Sequence, residues 1–269
     1  GFASVQPSEF IKPGFIVTVA WLISANSQIN GPPGRLWSFF LTMSVVALLI
    51  IQPDFGQAAL ILFGWGVIYF VGGAPIILLV IIAVVVMCIG FTMYGVAQHF
   101  ARRIDGFLSN DVDPTTQIGF VTNAIREGGW SGGGVGEGEV IWALPDAHTD
   151  FIIAVAAEEY GLVLVVVIIA LYTTFTIRCL SRLMKKKDPF VRLAGTGLTA
   201  MFAMQAIINM GVAVRLLPAK GMTLPFVSNG GSSLIATGIG IGMLLVFTRS
   251  RPQGEIRDLL ANKRRINER

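Results

Sequence analysis

Seven apolar runs divide the chain, near Ser8–Ser24, Trp37–Ile51, Gly56–Val71, Pro75–Gly95, Phe151–Leu180, Phe190–Val214 and Pro225–Thr248. Crossing the hydrocarbon of a bilayer takes roughly 20 helical residues, and runs of about that length recur along the chain. The pattern predicts an all-α polytopic membrane protein with seven transmembrane helices. Gln52-Pro53-Asp54-Phe55 parts the second run from the third, because proline ends one helix and opens the next. No internal repeat is evident, so the inverted-repeat plan of many transporters gains no support.

Composition agrees with this reading. Of 269 residues, 54% are hydrophobic and only 13% charged, about half the charged share of an ordinary soluble domain. The net charge of +4 does not mark a nucleic-acid binder, because the basic residues gather beside helix ends. Arg178, Arg182, Lys185, Lys186, Lys187 and Arg192 form one group, and Arg249, Arg251, Arg257, Lys263, Arg264, Arg265 and Arg269 another. Both are expected to be cytoplasmic, and the two spans between them make the assignments consistent. Residues 96–150 then form an extracytoplasmic loop and residues 249–269 a basic cytoplasmic tail, within one membrane domain over 1–269. Cys88 and Cys179 lie in or beside apolar runs and read as small buried hydrophobes. The chain opens on Gly1 without a methionine, and an N-terminal part is expected to be missing.

The chemistry-bearing residues cluster in and around the long loop. Its first half holds His99, Arg102, Arg103, Asp105, Asp111 and Asp113, and residues 128–138 contain seven glycines. Glycine permits positive φ and close backbone approach, so this stretch is expected either to fold over a ligand or to be a plain connector. Asp150 stands at the mouth of the fifth apolar run. Charge there is costly unless hydrated or paired, and spacing leaves two roles even: helix N-cap, shared with Thr149 as a candidate, or catalytic base. Glu158 lies about 80° round the helix from Asp150 and roughly 12 Å further in, whereas Glu159 is nearly opposite. Asp54 reads as a helix cap. In Arg215–Ser233, Pro218, Gly221, Pro225 and the Gly230-Gly231 pair interrupt helix, and such backbone at membrane depth needs a polar or protein-lined setting. Arg215 and Lys220, with Arg102 and Arg103, supply cations for a phosphate.

Five blocks carry a family resemblance: VQPSEF at 5–10, QPDFGQ at 52–57, RRIDGFL at 102–108, LPDAHTDFIIAVAAEEYG at 144–161 and LLPAKGMTLPFVSNGGSS at 216–233. Together they closely resemble the SEDS family of bacterial cell-wall glycosyltransferases. Lys220-Gly221-Met222-Thr223 matches its division-type, FtsW-like branch better than the elongation-type, RodA-like one. Three positions depart from the usual pattern: Asn229 for Tyr, Ala219 for Thr and Asp146 for Glu. The resemblance implies a ten-helix fold, of which the seven spans here would be the fourth to tenth. It implies polymerisation of lipid II into glycan strands outside the inner membrane, at the division septum. Asp150 matches the family's essential aspartate, proposed as general base.

Arg102, Arg103, His148, Glu158, Arg215, Lys220 and Ser232 are then expected to bind substrate. Asp54, Gln117, Pro145, Gly230 and Gly231 are expected to be structural or cavity-lining. A divalent cation, Mg2+ or Mn2+, is compatible with pyrophosphate departure, but no metal-ligand set stands out. The expected partners are lipid II, the growing glycan strand, a class B penicillin-binding protein acting as transpeptidase and other membrane proteins of the divisome. Two further readings remain: a lipid II flippase and a non-catalytic divisome scaffold.

Overall fold

The computed structural model describes residues 6–26, 31–96, 98, 101, 105, 116–138, 147–217 and 222–249. Eight α-helices form the described architecture: α1 (Pro7–Ala25), α2 (Gly34–Ile51), α3 (Phe55–Val71), α4 (Ile76–Val96), α5 (Gln117–Gly128), α6 (Ile152–Leu183), α7 (Pro189–Ala213) and α8 (Gly231–Thr248). Among the described residues, six of them are long and apolar enough to cross a membrane; α3 is apolar too, at 17 residues. Half-exposed Ile76, Ile77, Val80, Ile81, Val84 and Val85 run along α4. An apolar surface of that extent is compatible with lipid and not with water. The chain is a multi-pass helical membrane protein.

Helix α7 is the hub, packing on α1, α3, α5, α6 and α8. Small residues let it approach closely: a Cβ on Gly197 would stand 2.6 Å from Ile68 of α3 and 2.9 Å from Ile16 of α1. Close backbone approach of this kind is how helices gain packing energy where lipid removes the hydrophobic drive. The core around these contacts holds Ile16, Leu60, Ile61, Trp65, Ile68 and Met201. Trp65 also donates to Ser38 Oγ of α2 at 3.2 Å, so its indole N–H is satisfied away from water.

The two basic groups expected on one side do meet. Lys186 Nζ, in the α6–α7 turn, donates to Arg249 O beyond α8 at 2.7 Å. At the same end Arg35, opening α2, donates to Gly72 O beyond α3 at 3.3 Å. The starts of α1, α3, α6 and α8 and the close of α7 lie together at the other end, called here the Asp150 end.

The described structure corrects several sequence expectations. Cys179 is buried as read, but Cys88 is exposed on α4. The last span begins at Gly231, not Pro225, because Pro225–Ser228 forms a turn and Gly230 precedes the helix in extended backbone (φ −156°). The long loop contains a helix, α5, whose first turn is capped by Thr116 accepting from Gly119 N at 3.2 Å. Helix α6 is not one straight span, since Gly161 breaks it with φ 78° and ψ 178°. From Gly161 to Leu183 it still reaches roughly 34 Å at 1.5 Å per residue, enough for the ~30 Å hydrocarbon layer.

The break decides the fate of the glycine-rich stretch, which is neither a loose cover nor a plain connector. Residues 129–134 lie backbone to backbone against the break. Gly133 N donates to Glu158 O at 2.8 Å, Gly134 N to Glu159 O at 3.2 Å, and Leu162 N to Gly129 O at 2.9 Å. Helical bonds interrupted at Gly161 are thereby replaced, as buried peptide groups require. Glycine is needed at Gly132 (φ 81°), where a Cβ would meet Glu159 O at 2.1 Å. Glu158 is buried, and Glu159 accepts from Gly136 N at 3.0 Å. Both therefore sit beside this stretch at the rim of the bundle, not deep in the span.

Candidate functional site

Asp150 lies in the turn Ala147–Asp150, one residue before the α6 N-cap, which is Phe151. The N-cap thus falls one residue later than expected from the sequence. Outside the helix, the peptide group of Asp150 is held from the side by α7: Asn209 Nδ2 donates to Asp150 O at 2.9 Å and to Met222 O at 2.6 Å. Asn209 is 2% exposed.

The segment Met222–Asn229 runs between α7 and α8 as irregular backbone, and its polar groups find protein partners. Gln205 Nε2 donates to Thr223 O at 3.0 Å, and the Thr223 and Ser233 hydroxyls pair at 2.6 Å. Leu224 N donates to Ser228 Oγ at 2.8 Å, and that hydroxyl donates on to Thr149 O. Tyr172 of α6 donates its hydroxyl proton to Pro225 O, and Asn229 N donates to His148 O at 2.9 Å. This is the protein-lined environment that broken backbone needs in a membrane.

A buried polar chain continues towards α1 and α3. Lys12 Nζ lies 2.6 Å from Glu9 Oε2 and donates to Gln205 Oε1 at 2.8 Å. Gln57 Nε2 of α3 donates to Glu9 Oε1 at 2.7 Å, while Asp54 caps α3 by accepting from Gln57 N at 3.2 Å. Glu9, Lys12 and Gln205 roof a cleft between α1, α7 and α8 whose floor includes Leu198, Met201, Ile241 and Leu244. The Glu9–Lys12 pair is thus satisfied within the protein by Gln57 and Gln205 at the edge of an apolar cleft.

Of the residues singled out from sequence, Asp150, His148, Ser232, Gly230 and Gly231 fall in or beside these linked segments. Glu158 lies under the glycine stretch, and Gln117 opens α5. Arg215 ends the turn after α7 with φ 56°. Arg102, Arg103, Pro145 and Lys220 lie outside the described residues. Sequence reasoning missed Glu9, Lys12, Gln57, Gln205 and Asn209. Two signals were available: opposite charges at i, i+3 inside an apolar run, and two carboxamides at i, i+4 on one face of another.

Buried charges and carboxamides thus gather at one end of a multi-pass helical bundle, around a turn bearing an aspartate and an irregular segment facing it. That combination defines a multi-pass membrane protein with a buried polar cluster towards one end of its helix bundle. The chain belongs to the FtsW/RodA/SpoVE family of cell cycle proteins, whose model matches residues 1–253. It is 43% identical to a probable peptidoglycan glycosyltransferase FtsW of Caulobacter vibrioides, over 93% of this chain and 64% of the relative. It is 36% identical to the protein of the same name from Trichlorobacter lovleyi, over 90% of this chain and 65% of that one. The chain thus spans just under two thirds of the length of these relatives.

Two solved structures share the fold. One belongs to a peptidoglycan synthase complex that coordinates polymerization and crosslinking, with TM-score 0.75 and 32% identity over 94% of this chain and 72% of that one. The other is the rod shape determining protein RodA of Thermus thermophilus, with TM-score 0.59 and 29% identity over 92% of this chain and 66% of that one.

Proposed function

We propose that this chain carries the active site of an FtsW-type peptidoglycan glycosyltransferase, which polymerises lipid II on the outer face of the bacterial inner membrane at the division septum. The observation that carries the proposal is the placement of Asp150. It precedes α6 outside the helical ladder, and its peptide group is fixed by Asn209 beside the Met222–Asn229 segment. Asp150 takes the proton from the acceptor sugar's 4-hydroxyl as that oxygen attacks the donor's anomeric carbon. The bond to polyprenyl pyrophosphate breaks on the opposite face, and configuration inverts. A base must come within hydrogen-bond reach of the proton it removes.

Charge developing on the leaving pyrophosphate calls for preorganised cations, and Arg215, Arg102, Arg103 and Lys220 are the candidates. Mg2+ or Mn2+ would supply the same stabilisation, but among the described residues no cluster of three His, Cys, Asp or Glu side chains offers a site. The cleft lined by Glu9, Lys12, Leu198, Met201, Ile241 and Leu244 sets a charged pair beside an apolar wall, which supports contact with part of a lipid-linked substrate. The related synthase complex, in which polymerization and crosslinking are coordinated, supports a class B penicillin-binding protein as partner. Other divisome membrane proteins would complete the assembly.

Chemistry is favoured over flipping by where the polar groups lie. Asp150 stands just before α6 and Asn209 within about one turn of the close of α7, both towards the end of the bundle, whereas a translocation site belongs near mid-membrane. The test is glycan polymerisation from labelled lipid II by the full-length protein with its transpeptidase, parent against Asp150→Asn at matched folding. Loss of polymer with lipid II binding retained is expected. Undiminished polymer would remove Asp150 as the base and restore the flippase and scaffold readings.

A further inference from the structure

We infer that Asn209 and Ser228 are positioning residues for Asp150, joining the turn that bears it to the segment across the site. The inference rests on the reading of Asp150 as the base. Neither Ala147–Asp150 nor Met222–Asn229 is helix or sheet, so no ladder of backbone bonds holds either one. Three cross-links take that place. Asn209 Nδ2 bridges Asp150 O and Met222 O at 2.9 and 2.6 Å. Ser228 Oγ accepts from Leu224 N at 2.8 Å and donates to Thr149 O. Asn229 N donates to His148 O at 2.9 Å.

Asn209 suits this task for reasons of chemistry. It stands near the end of α7, the helix that most others pack on, and its side chain is almost wholly buried. One carboxamide nitrogen offers two N–H donors in a fixed plane, one for each carbonyl. Leucine has the shape without the donors, and aspartate has acceptors where donors are needed. Ser228 works by a single hydroxyl that accepts from its own segment and donates to the Asp150 turn. Neither residue need touch a reacting atom. A shift of about 1 Å in a catalytic group costs on the order of a hundredfold in rate, so both are expected to act through the position of Asp150.

The experiment measures polymerisation of lipid II by the full-length protein with its transpeptidase, resolved into kcat and KM. Asn209→Leu is expected to lower kcat by about a hundredfold and Ser228→Ala by about tenfold, each with KM for lipid II within about threefold of the parent. Ser228→Thr, which keeps the hydroxyl, is expected to retain the parent kcat. The Asn209→Leu/Ser228→Ala double variant is expected to be no slower than Asn209→Leu alone by more than about twofold, as residues sharing one device are not additive. If Asn209→Leu does not yield monodisperse protein, Ser228→Ala against Ser228→Thr decides. Parent-like kcat in both single variants, a loss confined to KM, or no rescue by threonine would overturn the positioning role. Asp150→Asn separates the two levels: inactive, it leaves the base reading standing while positioning fails; active, it removes both.

Discussion

The break at Gly161 gives a prediction whose size follows from the geometry. Gly161→Ala places a side chain on a residue at φ 78° and ψ 178°, a region of backbone space that is essentially glycine's own. That conformation alone costs about 1–3 kcal/mol for another residue. The new Cβ would also stand 2.2 Å from Trp130 O and 2.6 Å from Gly132 N, both backbone atoms that cannot rotate away. Relief requires the glycine stretch to lift, which gives up the bonds from Gly133 N and Gly134 N to Glu158 O and Glu159 O. Each is worth about 1 kcal/mol net. Local destabilisation of about 3 kcal/mol follows, which raises the open population of the stretch by more than about a hundredfold. Hydrogen exchange of the full-length protein in detergent reads this directly: the amides of Gly133 and Gly134 should exchange faster by that factor. Gly136→Ala is the control, since its φ is 80° but its Cβ meets nothing within 4 Å; it should leave those two amides within about fivefold of the parent. Equal protection in parent and Gly161→Ala would refute the claim that the stretch is bonded to the break.

Three further outcomes can be checked by thermal unfolding of the same protein. Lys12→Met leaves the Glu9 carboxylate buried without its cation, so a loss of about 3 kcal/mol is expected, and the Glu9→Gln/Lys12→Met double variant should recover part of it. Gly197→Leu drives a side chain into Ile68 and Ile16 and should separate α3 from α7, with a loss of at least about 3 kcal/mol; a melting point unchanged from the parent would mean the helices do not pack as described. Asp54→Ala removes the α3 cap and should cost about 1 kcal/mol, while Asp54→Asn should cost less.

Most helices were legible in the sequence because the signal was long and continuous. The runs ending at Ile51 and Val71 and the turn around Asp54 lie within a few residues of their expected places. Pro225–Gly230 was counted into the last span although Pro225 and the Gly230-Gly231 pair already marked interruptions, and hydropathy does not report that Tyr172 satisfies Pro225 O, Gln205 Thr223 O and Ser228 Leu224 N. Helix α5 was missed because it is short and amphipathic beside a glycine-rich stretch. The Asp150 turn was found from one charge at the edge of an apolar run, whereas its supports on α7 were not. Asn209 and Gln205 are uncharged, and their partners are carbonyls of residues distant in sequence.

Those supports explain why two irregular segments can stand at the end of a membrane bundle. Lipid offers no water to peptide groups, so each turn that leaves the helical ladder needs donors and acceptors from elsewhere. Helix α7 provides them through residues one helical turn apart. Gln205 accepts from Lys12 and donates to Thr223 O, and Asn209 donates to Asp150 O and Met222 O. The helix that holds the core together thus also holds the site, through successive turns along its length. Gly197 and Met201 pack towards α1 and α3, while Gln205 and Asn209 reach α1, the Met222–Asn229 segment and the Asp150 turn. A substitution in the packed half should therefore act first on stability, and one at Asn209 first on the placement of Asp150.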